Sequence, residues 1–274
     1  MEELTGRTAV VIGGGSGIGR GTALGLGAEG MRVVVADIER ASADAVADEI
    51  ARGGGNASAA QVDGTDRAAL DALADRVVAE HGAANLLSTN VGVVADHPLD
   101  AGTEQDWAWV IEFNLLSAVR AVNAFLPHMR AGREPGHIVI TASLAALMAV
   151  PGNVGGLHLG VYTATKHALL GYGETLRGEL AADGIGVSVL CPGTVRSNLV
   201  ATSARNRPAR HGGPLPEPTA AQDGPWMPPE AVGPVVVRGI KANRLHILTH
   251  PEARPVIEAR HAALIDDFRF FAGA

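Results

Sequence analysis

A chain of 274 residues, 47% of them apolar, has room for one α/β core and little for a second. Its formal net charge of −7 argues against nucleic acid as a partner, which needs a basic stripe, and its lone cysteine, Cys191, excludes an intrachain disulfide or thiolate cluster. The acidic start MEELTGRTAVVIG lacks the basic and long apolar regions of a secretory signal, and no apolar run reads as long enough to span a bilayer, so a cytoplasmic setting without a membrane is expected.

Short Val- and Ile-rich runs alternate with longer alanine-rich stretches, the pattern of β-α units wound around a parallel sheet. The pattern predicts strands near 8–12, 32–36, 57–62, 85–91, 137–142, 186–191 and 245–249. Helices are predicted near 17–29, 41–52, 66–81, 104–131, 161–182 and 252–268. TAVVI, RVVVA, HIVIT and GVSVL are almost wholly apolar and suit strands covered on both faces. From Asn198 to Pro229 periodicity vanishes among Pro, Gly and Arg, which reads either as disorder or as a lid. The expected architecture is one α/β domain over 1–274, a Rossmann-type doubly wound parallel sheet of about seven strands with helices on both faces. Residues 4–197 would form its core, 198–229 a lid, and 230–274 the last helices and strand.

The first strand runs into VIGGGSGIGRGT, residues 11–22. No register of this stretch completes G-x-G-x-x-G, whereas G-x-x-x-G-x-G fits at Gly13/Gly17/Gly19 and again at Gly15/Gly19/Gly21. Because TAVVI ends at Ile12, Gly13 falls where the chain must turn at the carboxyl edge of the sheet, which favours the first register. Gly17 then lets the backbone approach a pyrophosphate, Gly19 lets the next helix pack on the sheet, and Ile18 packs inward. Asp37, at the end of the second strand, suits the two ribose hydroxyls of an adenosine and repels a 2′-phosphate, and Ser16 supplies no cation against it. These features favour NAD over NADP. Taken singly, the loop also fits a plain strand-helix turn, and Asp37 a helix cap.

The second constellation is Tyr162-Thr163-Ala164-Thr165-Lys166, which sets an ammonium one helical turn from a phenol. A phenol with its ordinary pKa of about 10 is a poor base at neutral pH, and a neighbouring ammonium favours phenolate.

In this order the motifs resemble the short-chain dehydrogenase/reductase family, from about Leu4 to Ser197 with a divergent remainder. They are Gly13/Gly17/Gly19, Asp37, Val62-Asp63, Thr89-Asn90-Val91-Gly92, Asn114, Ser143, Tyr162-x-x-x-Lys166 and Pro192-Gly193-Thr194-Val195-Arg196-Ser197. The resemblance implies a seven-stranded parallel sheet, a nicotinamide cofactor (NAD+ or NADH) and interconversion of an alcohol and a ketone. It makes Tyr162 the general acid/base and Ser143 a hydrogen-bond donor to the substrate oxygen. Lys166 would grip the nicotinamide ribose and lower the phenol's pKa, and Asn114 would anchor a water leading from Lys166 to solvent. Cofactor contacts are implied for Gly13, Ser16, Gly17, Ile18 and Gly19, for Asp37 and Ile38, for Asp63 and Gly64 near the adenine, and for Asn90 and Gly92. Tyr162, Lys166, Pro192, Gly193, Val195 and Ser197 would surround the nicotinamide and its ribose. Three positions depart from the family pattern: Ile12 and Thr89 change side chains that usually brace the cofactor loops, and Ser197 replaces a Thr.

A small-molecule alcohol or ketone is the partner the resemblance implies, with a non-catalytic NAD(H)-binding regulator as the alternative. No H-E-x-x-H pattern occurs, and no metal is expected. Trp107 and Trp109 read as interface residues, and apolar faces on the helices near 104–131 and 161–182 suggest a homo-oligomer, a tetramer by resemblance or else a dimer. Between Ser143 and Tyr162 lies LAALMAVPGNVGGLHLGV, longer than the family usually has. Its apolar character predicts a pocket wall for a bulky, weakly polar aromatic, alicyclic or steroid-like substrate, or otherwise a covered subunit interface.

Overall fold

The computed structural model describes residues 1–150, 153, 154, 157–216 and 226–273, with the backbone alone at 153 and 154. The first half runs β1 (Thr8–Ile12), α1 (Gly17–Ala28), β2 (Arg32–Asp37), α2 (Arg40–Arg52), β3 (Asn56–Gln61), α3 (Arg67–His81) and β4 (Leu86–Thr89). Then come α4 (Glu104–Ile111), α5 (Ser117–Gly132), β5 (Gly136–Thr141), a hairpin of β6 (Asn153–Val154) and β7 (Leu157–His158), and α6 (Gly160–Glu179). The chain closes with β8 (Ile185–Cys191), α7 (Leu199–Arg205), α8 (Val232–Lys241), β9 (His246–Leu248) and α9 (Arg254–Ala272).

The seven-stranded sheet has the order β3-β2-β1-β4-β5-β8-β9, and every pairing in it is parallel. Alternate residues of β1 feed opposite cores. Val10 and Ile12 pack with α3, α5 and α6, whereas Ala9 and Val11 pack with α1, α2 and α8. Burial on both faces explains why β1 and β5 read as unbroken apolar runs. The strand order reverses between β1 and β4, so a crevice opens at their carboxyl ends.

The helix predicted over 104–131 is α4 and α5 joined by one wide π turn, Glu112–Leu116, which carries Asn114. Contrary to the sequence expectation, the run Glu104–Gly132 is long and apolar enough by length and composition to cross a membrane. Its most apolar 18-residue window is 56% buried, and α5 packs on α3 and the sheet with Val122 and Phe125 in the core. Trp109 corrects a second expectation. It is wholly buried within this chain, with the Arg207 guanidinium 4.8 Å from its ring centroid, and therefore faces no interface.

Two helices lie outside the predicted helix ranges. The stretch read as irregular contains α7, and its described end is pinned where Met227 exchanges backbone hydrogen bonds with Thr194 and Arg196. Beyond it, α8 packs against α1 so closely that a Cβ on Gly25 would lie 2.6 Å from the Gly233 Cα. Residues 217–225 of the expected lid, and 151, 152, 155 and 156 of the expected pocket wall, lie outside the described residues.

Candidate active site

The glycine-rich turn leaves β1 at the crevice. Gly13 and Gly17 have φ of 70° and 48°, conformations that disfavour side chains. A Cβ on Gly13 would also press to 3.1 Å on the Asn90–Val91 peptide. A Cβ on Gly19 would collide with the Gly13 carbonyl, as the chosen register requires. Gly21, the last glycine of the competing register, instead abuts the Pro229 carbonyl, so its lack of a side chain serves the approach of the segment leading into α8. Ser16 caps α1 without a side-chain bond, and Ile18 packs partly against the core beneath.

From this turn a groove runs past Ser16, Asp37, Ile38, Asp63, Gly64, Asn90 and Gly92. The Asp37 carboxylate is held in place by two backbone donors, Gly15 N–H to Oδ2 at 2.9 Å and Glu39 N–H to Oδ1 at 3.0 Å. Asp63 is fixed likewise by the backbone N–H and hydroxyl of Thr65. Asn90 clamps the crevice: its amide donates to the Ile12 carbonyl at 3.1 Å, and its Oδ1 accepts from the Thr141 hydroxyl at 2.8 Å. At the departure Thr89, the buried hydroxyl has no hydrogen-bond partner.

Beyond Gly92 the four candidate catalytic residues converge. Asn114 is fully buried, and its Oδ1 accepts from Val93 N–H at 2.7 Å. Its amide donates to the Val93 carbonyl at 3.1 Å and to the Thr165 hydroxyl at 3.0 Å. Lys166 Nζ donates to the Thr141 carbonyl at 2.9 Å and lies 5.3 Å from the Tyr162 ring centroid. Ser143 leaves the end of β5, and its Oγ accepts from Ala145 N–H. Gly92 lies over this group: a Cβ there would be in ordinary contact with Asn114 Oδ1 at 3.5 Å and Lys166 Nζ at 3.7 Å.

Burial governs the charges here. It pushes the Tyr162 phenol above its ordinary value, with the Ser143 hydroxyl acting the other way. It also pulls Lys166 down to about 8. Desolvation therefore dominates at the phenol, and the group that opposes it is Ser143 rather than the expected Lys166. Cys191, wholly buried at the end of β8, is pushed up to about 12 by the same effect and is a packing residue.

On the far side, Pro192 accepts from Leu144 N–H at 2.9 Å, Val195 bridges to Met227, and Ser197 lies against Gly17. Gly193 N–H is held by Thr249 Oγ1 and His250 Nδ1 at 3.2 and 3.1 Å. His250 was not singled out from the sequence, nor were Thr202, Ser203 and Asn206 of α7 and its C-terminal edge, which line the groove. The Ser203 hydroxyl accepts from Val94 N–H at 3.1 Å, and Arg205 pairs with Glu39 at 2.8 Å. Nothing local in the sequence signals these contacts, which join residues more than 100 positions apart. His246 and His250 stand four apart, but on an extended strand and its continuation. Among the described residues, no group of three His, Cys, Asp or Glu is placed to hold a metal.

A family model described as short chain dehydrogenase matches residues 7–208. A C alpha-dehydrogenase of Sphingobium sp. (strain NBRC 103272 / SYK-6) is 34% identical, over 97% of this chain and 88% of that protein. A 1-deoxy-11-beta-hydroxypentalenate dehydrogenase of Streptomyces avermitilis is 30% identical, over 90% of this chain and 86% of its own length. The crystal structure of a short chain dehydrogenase/reductase from Burkholderia phymatum in complex with NAD matches with a TM-score of 0.87 at 31% identity, covering 97% of each chain. The sheet order, the matched span and these relatives lead to one conclusion: the chain belongs to the short-chain dehydrogenase/reductase family of oxidoreductases.

Proposed function

We propose that the chain is an NAD-dependent dehydrogenase/reductase acting on a secondary alcohol or ketone of a bulky, weakly polar small molecule, the whole chain serving as one domain in the cytoplasm. The observation that carries the reading is the set of buried Asn114, Thr165 and Lys166 with half-buried Tyr162, which meets Ser143 beside Gly92 at the end of the groove.

The groove fits a dinucleotide. The N-terminus of α1, at Gly17–Gly19, points its first N–H groups along the groove, Asp37 holds a fixed carboxylate against its wall, and Gly92 lies over Lys166. When bound, the nicotinamide ring would give or take a hydride at C4. Tyr162 would exchange a proton with the substrate oxygen, Ser143 would donate a hydrogen bond to that oxygen, and Lys166 would hold the nicotinamide ribose. Beside a bound, oxidised cofactor the Tyr162 phenol would lie nearer to its ordinary value and would be better placed to take the substrate's proton. Asn114 fixes the wide turn against Val93 and so positions Lys166 through Thr165.

Asp37 and the NAD in the Burkholderia phymatum structure support the cofactor choice. The apolar stretch after Ser143, together with a relative named for a hydroxypentalenate, supports an alicyclic or aromatic substrate. An NAD(H)-binding regulator would have no use for all four catalytic side chains. Tyr162→Phe is expected to lower turnover by about 10²- to 10⁴-fold while leaving NADH affinity within about twofold, read by steady-state kinetics and fluorescence titration. Retained turnover refutes the assignment.

A further inference from the structure

α9 has no buried residue along its 19 positions. Val256, Leu264, Ile265, Phe268, Phe270 and Phe271 are between 49% and 74% exposed, and they make up six of the eleven large apolar side chains exposed among the described residues. The helices expected to carry an oligomer interface contribute only Leu116, in the turn between α4 and α5. So many exposed large apolar side chains on one helix mark an interaction site.

The order of its residues says what covers it. Ile257, His261, Leu264, Phe268 and Phe271 follow one another at intervals of four, three, four and three, the repeat of a coiled-coil seam. Arg260 and Asp267 each stand one residue before a seam position, where charges meet those of a partner helix. In a parallel pair of identical helices, Arg260 would face Ile265 and Asp267 would face Ala272, which leaves both charges without partners. In an antiparallel pair centred between Ala262 and Ala263, His261 meets Leu264 of the second copy and Ile257 meets its Phe268. Arg260 then meets Asp267 of the second copy, and two-fold symmetry repeats the ion pair. The stripe is therefore self-complementary in one orientation, in both its apolar seam and its charges.

We propose that α9 docks antiparallel on α9 of a second copy of this chain. The test is sedimentation velocity on the full chain at micromolar concentration, with circular dichroism and NADH binding as controls, since α9 contributes no residue to the groove. Phe268→Asp is expected to halve the particle mass while both controls hold. Arg260→Asp and Asp267→Arg should each raise the dissociation constant about tenfold, and the two together should restore it to within about threefold. A monomeric full chain, a mass unchanged by Phe268→Asp, or charge reversals that do not rescue each other would each overturn the proposal. In the last case α9 is covered by some other surface.

Discussion

His137, the second residue of β5, is wholly buried. Ser188 gives its own proton to the Arg244 carbonyl, so the imidazole Nε2 must donate to Ser188 Oγ at 2.8 Å, and Nδ1 is left without a partner. Burial, reinforced by the N-terminal ammonium and Arg177, lowers its pKa from the ordinary 6.5 to about 3. Between those two values the unfolded chain binds the extra proton and the folded chain does not. This contribution is therefore complete above pH 6.5 and is lost as pH falls toward 3, at up to about 1.4 kcal/mol per unit. Urea unfolding of His137→Leu should show about 2 to 3 kcal/mol less loss between pH 7 and 4.5 than the parent chain. An equal loss would place the acid sensitivity elsewhere. Asp37 carries the other prediction at this scale. On the proposed function, NADH should give a larger kcat/KM than NADPH, and Asp37→Ser should shift the ratio toward NADPH about tenfold or more by removing a like charge from the 2′-phosphate. An unshifted ratio would mean that Asp37 does not select the cofactor.

Among the elements, α7 shows best how contacts distant in sequence build a helix. Ser203 ties it to Val94, and Arg205, which ends it, meets Glu39 at the start of α2, so it roofs part of the groove. Both members of that ion pair are about half exposed, which limits its worth to under about 1 kcal/mol. Arg205→Ala is accordingly expected to speed NADH release by at most about fivefold, with the difference fading in 1 M salt. Stopped-flow displacement reads both quantities, and a salt-independent change would show that Arg205 acts through packing. The same logic separates what was legible in the sequence from what was not. β1, β2, β5 and β8 announce themselves because parallel strands buried on both faces need unbroken apolar runs. Gly13, Asp37 and the Tyr162/Lys166 pair could be proposed from strand ends and helical spacing, whereas Asn114 and Ser143 came only from the resemblance to the family. α8 received no range of its own because VGPVVVRGIK carries Gly, Pro and β-branched residues that disfavour a helix, and the close approach of α1 at Gly25 and Gly233 overrides them. α7 and His250 stayed hidden because their partners lie far away along the chain.

At the scale of the molecule, two apolar cores cover the faces of one sheet, and the candidate site gathers at the carboxyl ends of β1, β4 and β5. Cys191 sits inside this arrangement as the chain's one thiol, with no exposed surface and a pKa near 12. A disulfide reagent needs a thiolate and a path to it, and the folded chain offers neither. Labelling should therefore run about 10³-fold or more slower than in denaturant, and its rate should equal the intrinsic exchange rate times the fraction of time the sheet is open. Fast labelling of the native protein would show that β8 opens without the rest. The native sequence thus contains its own clock for rare openings: with no engineered label on the chain, the colour released by the reagent counts how often the centre of the sheet comes apart, and whether a bound dinucleotide slows it.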